Sequence, residues 1–324
     1  MRAPDFWQND NGIARLLEPA GLIYGAITAR RMARAKPYKA SQPVICVGNL
    51  TAGGSGKTPL AASIASRLSD QGRSPAILIR GYGGSMAGPV RVSGNTHTVE
   101  EVGDEALLHA RYVPTWVARQ RSAAAPLAIA AGADVLVMDD GHQHPSLAKD
   151  LSLVVVNGYT GFGNGRIIPA GPLRESIVGG LARADAVVVM GEDQHNLAPR
   201  LAQTKPVLKA NLVYGPEWQS LRGQRVVAFA GIGGPDRFLN SLEAVGARVV
   251  AFHPFGDHYG YAAADIQPML DEAYEVGALA VTTDKDAVRL DPDQRQQVNV
   301  LTIKAMWEDE SALDQLLDKA LARG

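Results

Sequence analysis

Apolar runs recur at 43–47, 75–79, 133–138, 151–156 and 185–190, short and rich in Val, Ile and Leu, and they read as buried strands. Between several of them, over 58–69, 101–112 and 119–131, apolar residues return every three or four positions, the spacing of a helix face. Strands alternating with helices predict a mostly parallel sheet covered on both faces. A more clearly alternating strand at 206–214 introduces a second series: strand RVVAFAGI, helix 235–245, strand ARVVAF, helix 261–276, strand ALAVTT and a last helix over about 309–322. The expectation is an α/β protein in two domains, 1–205 and a smaller α/β domain over 206–324 that closes on the first.

Ahead of the first strand, the apolar residues Leu16, Leu17, Ala20, Ile23 and Ile27 repeat at helical spacing, predicting a helix over about 12–35 with Pro19 in its first turn. Arg30, Arg31, Arg34, Lys36 and Lys39 follow closely. An apolar face running into a basic cluster suits a helix lying in a membrane surface, and it equally suits a helix packed on the core with solvated arginines. No stretch reaches the roughly 18 apolar residues of a spanning helix, and no signal-peptide pattern is expected at the start.

Composition changes this picture little. Hydrophobic residues make up 46% and charged residues 20% of 324 positions, which describes a packed core and excludes a disordered chain. The net charge of -1 predicts no general affinity for nucleic acid. The single cysteine, Cys46, lies inside an apolar strand and points to core packing and a reducing compartment.

The chemistry concentrates at the strand ends. VGNLTAGGSGKTP, residues 47–59, sets a glycine loop between a strand and a helix, so that backbone amides surround one anion with Lys57 and Thr58 beside it. Thr51, Ala52, Gly53, Gly54, Ser55, Gly56, Lys57 and Thr58 are the candidate nucleotide-binding residues of a P-loop NTPase-like sheet. The strict pattern wants glycine where Thr51 stands, and Gly48 and Asn49 are expected to open the turn instead. The strand ADVLVM runs into Asp139 and Asp140, carboxylates placed to hold Mg²⁺ with Thr58 beside the phosphates. His142 and His144 follow, but with no thiol nearby zinc is disfavoured. Asp104 and Glu105 open a helix, Arg80 and Tyr82 sit in a flexible loop, and GFGNGRIIPAGPLRE over 161–175 is long for an idle connection. Its arginines suit a second, phosphate-bearing ligand. His258 follows a strand of the second series. TTDKDAVRL, residues 282–290, looks faintly like a guanine reader and fails at Ala287, where a carboxylate is required.

GNLTAGGSGKTP, RGYGG, VGDE, DDGHQH, GNGRIIPAGPLRE, AFAGIGGPDRF and FGDHYGY stand in this order over roughly 40–290. Together they resemble the tetraacyldisaccharide 4'-kinase family, the lipid A kinase of Gram-negative bacteria. The chain departs from the family pattern at His142, where Phe is usual, and at Tyr259, where a second His is common. The resemblance implies transfer of the γ-phosphoryl of ATP, with Mg²⁺, onto the 4'-hydroxyl of an acylated glucosamine disaccharide 1-phosphate. It implies that the catalytic residues are Asp104, His258 and Lys57, with His258 taking the proton and Asp104 orienting it. It implies further that Arg80, Tyr82, Glu105, Arg121, Gln143, Asn164, Arg174 and Glu175 line the substrate cleft. Work at the cytoplasmic face of the inner membrane follows, with the N-terminal helix on the lipid surface and no obligatory protein partner. The rival readings are a phosphate-loop switch or metallochaperone, for which no partner motif is evident, and a soluble sugar or nucleoside kinase, which leaves the basic amphipathic start unused.

Overall fold

The computed structural model describes residues 4–322. In chain order the strands are β1 (Val44–Asn49), β2 (Pro75–Ile79), β3 (Val90–Arg91), β4 (Thr115–Val117), β5 (Val135–Asp139), β6 (Leu151–Asn157), β7 (Ala186–Met190), β8 (Val207–Tyr214), β9 (Arg225–Ala230), β10 (Arg248–Pro254), β11 (Leu279–Thr283), β12 (Asn299–Leu301) and β13 (Ile303–Trp307). Among the described residues they form a nine-stranded sheet ordered β13-β8-β7-β6-β1-β5-β2-β4-β3 and a four-stranded sheet ordered β10-β9-β11-β12. Only the edge pairs β13–β8 and β3–β4 are antiparallel. This is the α/β architecture expected.

Strand β1 shows why the large sheet is buried on both faces. Ile45 and Val47 face a core with Leu60 and Ile64 of the helix Lys57–Asp70, while Val44 and Cys46 face Ala124, Ala125 and Ala128 of the helix Arg121–Ala130. The short β3 and β4 lie within the sheet's edge, where the sequence pattern is too brief to mark a strand. In the middle, β1 pairs with β5 on one side and β6 on the other, so the chain diverges there and leaves a crevice at the carboxyl ends.

The segment 206–324 is divided between the two sheets. Strand β8, expected to open the second unit, pairs with β7 and closes the large sheet's side, and its alternation reflects a place near the edge. Strand β13 returns to pair with it, and the helix Glu310–Leu321 packs Leu313 and Leu317 into the same core as the helix Lys57–Asp70. Residues between Tyr214 and Thr302 build the small sheet. The two segments that cross between sheets are bonded to each other, Gly215 N donating to Thr302 O at 3.0 Å and Thr302 N to Glu217 Oε1 at 2.9 Å.

The N-terminal helix runs Gly12–Arg34, begun by the Asn11 side chain accepting from Ala14 N at 3.0 Å. That cap starts it well before Pro19, which therefore lies inside the helix and not in its first turn. Its small residues face the protein: Ala14, Gly21 and Thr28 are buried, and a Cβ on Gly21 would stand 2.6 Å from the Ile167 carbonyl oxygen. The large apolar residues Ile13, Leu16, Leu22, Ile23 and Ile27 face outward, Leu16 80% exposed. Among the described residues no helix is long and apolar enough to cross a membrane.

Candidate active site

The glycine loop sits at the crevice beside β1. Gly48 and Asn49 belong to β1 and do not open the turn as expected. Gly48 is needed because a Cβ there would stand 2.5 Å from His142 Cβ, where the DDGHQH turn crosses the strand. Asn49, fully buried, donates from Nδ2 to Thr51 O at 2.7 Å and to Ser55 Oγ at 3.0 Å, holding the loop's two ends together. Gly53 and Gly56 take left-handed φ values of 107° and 84°, and nothing lies within 4 Å of a Cβ on Gly53 or Gly54, which leaves their backbone open to an approaching anion. The long loop 161–175 explains its length here: Ala52 N donates to Pro172 O at 2.7 Å and Arg174 N to Leu50 O at 2.7 Å. The Ala52 amide is thereby engaged with this loop in place of the cradle.

The adjacent aspartates have separate surroundings. Asp139 is buried at the end of β5, and its Oδ2 accepts from His109 Nε2 at 2.9 Å, while its buried Oδ1 has no hydrogen-bond partner. Burial pushes this carboxyl up, but the His109 bond and charge, Lys57 and the Thr58 hydroxyl outweigh burial and hold it below the ordinary carboxylate value. A buried anion with an unsatisfied oxygen beside the Thr58 hydroxyl fits a divalent cation. Asp140 faces cations already present: Arg174 Nη1 reaches both of its oxygens at 2.9 Å, and Lys57 Nζ is 3.8 Å from Oδ1. The turn between them, with Asp140 at φ 50°, is clamped by Arg121, whose Nη2 donates to the carbonyls of Asp139 at 3.0 Å and Asp140 at 3.2 Å. Arg121, expected along the substrate cleft, is instead only 2% exposed and acts on the cleft through this turn.

Asp104 begins the helix Asp104–Ala110, and its Oδ2 stands 3.2 Å from His258 Nδ1. Asp104 is carried beside the large sheet and His258 beside the small one. Burial opposes ionisation of Asp104, yet Lys285, Arg289 and His258 together hold its carboxyl below the ordinary value. His258 lies half-exposed in the loop after β10 with φ 59°, its amide donating to Gly231 O at 3.0 Å. With Nδ1–H donating to the carboxylate, Nε2 is free to accept a proton. His109, which grips Asp139, lies five residues along the same helix as Asp104, roughly 7.5 Å at 1.5 Å per residue. One short helix therefore spaces the imidazole couple from the buried Asp139 carboxylate.

The other expected residues divide into rim and frame. Arg80 and Tyr82 stand exposed in the loop after β2. Gln143 donates to Asn49 O at 2.7 Å and Glu175 Oε1 at 2.9 Å, and Arg183 Nη2 takes both Glu175 oxygens at 2.7 Å. These side chains join the glycine loop to the DDGHQH turn. Asn164 donates to Phe6 O and Ala170 O, both at 3.0 Å, and accepts from Arg166 N, so its amide is committed to the loop that carries it. Glu105 pairs with Lys285 at 3.2 Å across the two sheets. His142 bonds Ser152 Oγ and Gly180 O, and His144 bonds Arg119 O and Ser146 Oγ, leaving neither ring aimed at the crevice. His109, Arg183 and Arg289 carry weight here that the sequence reading did not assign them, although His109 lies in the apolar helix EALLHA and Arg289 in TTDKDAVRL.

With this geometry in view, the comparisons agree. The family model described as Tetraacyldisaccharide-1-P 4'-kinase matches residues 13–322. A tetraacyldisaccharide 4'-kinase of Rhodospirillum rubrum is 57% identical over 325 residues, covering 99% of this chain and 98% of the relative. One from Paramagnetospirillum magneticum is 52% identical, covering 98% of each. The crystal structure of LpxK from Aquifex aeolicus in complex with ATP superposes with a TM-score of 0.79 at 30% identity, covering 95% of this chain and 99% of that one. A glycine loop, an Asp–His couple and relatives more than half identical over nearly the whole length converge on one answer: the chain belongs to the tetraacyldisaccharide-1-phosphate 4'-kinase family, enzymes that transfer phosphate to a hydroxyl.

Proposed function

We propose that this chain transfers the γ-phosphoryl of ATP to the 4'-hydroxyl of a tetraacylated glucosamine disaccharide 1-phosphate, at the cytoplasmic surface of the inner membrane. The contact that carries the reading is His258 Nδ1 to Asp104 Oδ2 at 3.2 Å, a base poised across the crevice from the glycine loop. The amides of Gly53 to Thr58 and the Lys57 ammonium receive the β- and γ-phosphates, supplying charge where it develops during transfer. Thr58 and Asp139 would hold Mg²⁺, which when bound would neutralise charge on the phosphate oxygens. Asp140 and Arg174 keep Lys57 oriented. His258 Nε2 takes the sugar hydroxyl's proton as Asp104 steadies the imidazolium. Arg80 and Tyr82 form the exposed rim that meets the disaccharide.

A substrate with four acyl chains stays in the bilayer, since each exposed CH₂ costs about 0.8 kcal/mol. The outward Leu16, Leu22, Ile23 and Ile27 with the following arginines support a helix lying on an anionic leaflet, and Arg31 Nη2 reaches Gln143 O at 3.3 Å, tying that surface to the crevice. The deciding assay incubates the protein with radiolabelled ATP, Mg²⁺ and the disaccharide 1-phosphate and separates the lipids by chromatography. Label on the lipid supports the reading, and lipid-independent ADP release would support a switch instead. His258→Ala and Asp104→Ala should each lower kcat on the order of 10²-fold with ATP binding retained.

A further inference from the structure

We propose that Arg289 is the positioning residue of the Asp104–His258 couple, fixing both partners through one buried guanidinium. The inference rests on the reading of that couple as the base. TTDKDAVRL supplies the frame. Thr283 Oγ1 donates to Asp286 Oδ2 at 2.5 Å, and Asp286 Oδ1, fully buried, accepts from Gly231 N at 2.9 Å, Tyr261 Oη at 3.0 Å and Arg289 Nη1 at 2.9 Å. The Arg289 side chain is 3% exposed. Its Nη2 donates to Asp104 Oδ2 at 2.6 Å, the oxygen that faces His258, and its Nη1 donates to Gly231 O at 2.7 Å. That same carbonyl accepts the His258 amide at 3.0 Å. The two arms of one planar fork thus hold the acceptor oxygen and the backbone of the left-handed residue whose ring must meet it.

The charge matters as well as the fork. The groups facing the His258 ring are Asp104, Asp257, whose Oδ1 is 3.8 Å from Nε2, and Arg289, whose Nη2 is 3.5 Å from Nδ1. Lys285 acts on Asp104 from behind, and Asp286 backs Arg289. Arg289 thus sets one buried cation against both Asp104 and the ring nitrogen that meets it, and with Lys285 it favours the ionised Asp104 carboxylate against the burial that opposes it. The other cross-sheet ion pairs, Lys285–Glu105 and Arg111–Asp284, leave the ring untouched and, being partly exposed, contribute little.

The test compares Arg289→Met, Arg289→Lys and, as an interface control, Arg111→Met in the full chain, measuring kcat and the KM values for ATP and for the disaccharide in lipid–detergent micelles. Arg289→Met should lower kcat on the order of 10-fold or more with KM for ATP and for the disaccharide nearly unchanged. Arg289→Lys should recover only part of kcat, because an ammonium cannot span Gly231, Asp286 and Asp104 in one plane. Arg111→Met should match the native protein. A loss that falls on KM and not on kcat, or native kcat in Arg289→Lys, overturns the proposal; the lysine variant decides the matter if the methionine variant fails to fold. Should Asp104→Ala and His258→Ala retain activity, the base reading fails first; should they lose it while both Arg289 variants behave as native, this inference alone fails.

Discussion

At the scale of single residues, neighbours of one type serve different ends because burial and partners differ. Asp139 and Asp140 are the clearest pair, one a buried anion with an open oxygen and the other already matched by Arg174 and Lys57. His142 illustrates the cost of a buried imidazole. Gly180 O can only accept, so Nε2 carries the proton and Nδ1 accepts from Ser152 Oγ, and burial pushes the ring's pKa down from 6.5 to about 4. Over that window the unfolded chain binds the proton and the folded chain does not, so stability falls as pH drops from about 6.5 to 4 and levels off below. The ceiling of the effect is about 3 kcal/mol, at 1.36 kcal/mol per pH unit. His142→Phe should flatten the acid slope of Tm while costing about 1 kcal/mol at pH 8, where the Ser152 hydroxyl loses its partner; an unchanged slope in thermal melts would assign the acid sensitivity elsewhere. Asp104 and His258 were legible as chemistry through the motif set. Arg289 and His109 were not, because a side chain's partner 185 residues away, as Arg289 is from Asp104, leaves no local trace in composition or spacing.

At the scale of elements, hydrophobic periodicity located most of the structure. The runs at 75–79 and 185–190 lie on β2 and β7, and the helix expected at 58–69 is found at Lys57–Asp70. What periodicity did not give was which face of a helix turns inward. In the helix Gly12–Arg34 the small residues dock, since Gly21 and Gly25 allow the backbone to approach Ile167, and the bulky apolar residues stay outside. Converting Leu16, Ile23 and Ile27 together to Ser should leave Tm nearly unchanged, since exposed substitutions fall within about 0.5 kcal/mol each. The same variant should bind anionic liposomes on the order of 10²-fold more weakly, as three apolar side chains are lost from the lipid contact. Unaltered flotation with vesicles would return that face to bare solvent exposure.

For the whole molecule, a break placed at 205/206 followed a change in pattern that belongs to an edge and not to a boundary. The final strand and helix complete the large sheet, information carried by pairing between β8 and β13 that no local window contains. Leu317 is fully buried in the same core as Leu60 and Ile64, so Leu317→Ala should cost about 2–4 kcal/mol and lower Tm by several degrees. Hydrogen exchange should report that loss in β1 and β6; protection lost only in the small sheet would contradict the shared core.

The chain passes between the sheets twice, and the two passages grip one another through Gly215, Glu217 and Thr302. A single tether would let the smaller lobe swivel and tumble. Paired strands pinned side by side behave like a door on its jamb, with one axis to swing about and little freedom to twist. On the proposed mechanism the imidazole would then return to the same spot beside Asp104 whenever the lobes meet, so the doorway would set the precision of the couple as much as the residues that form it.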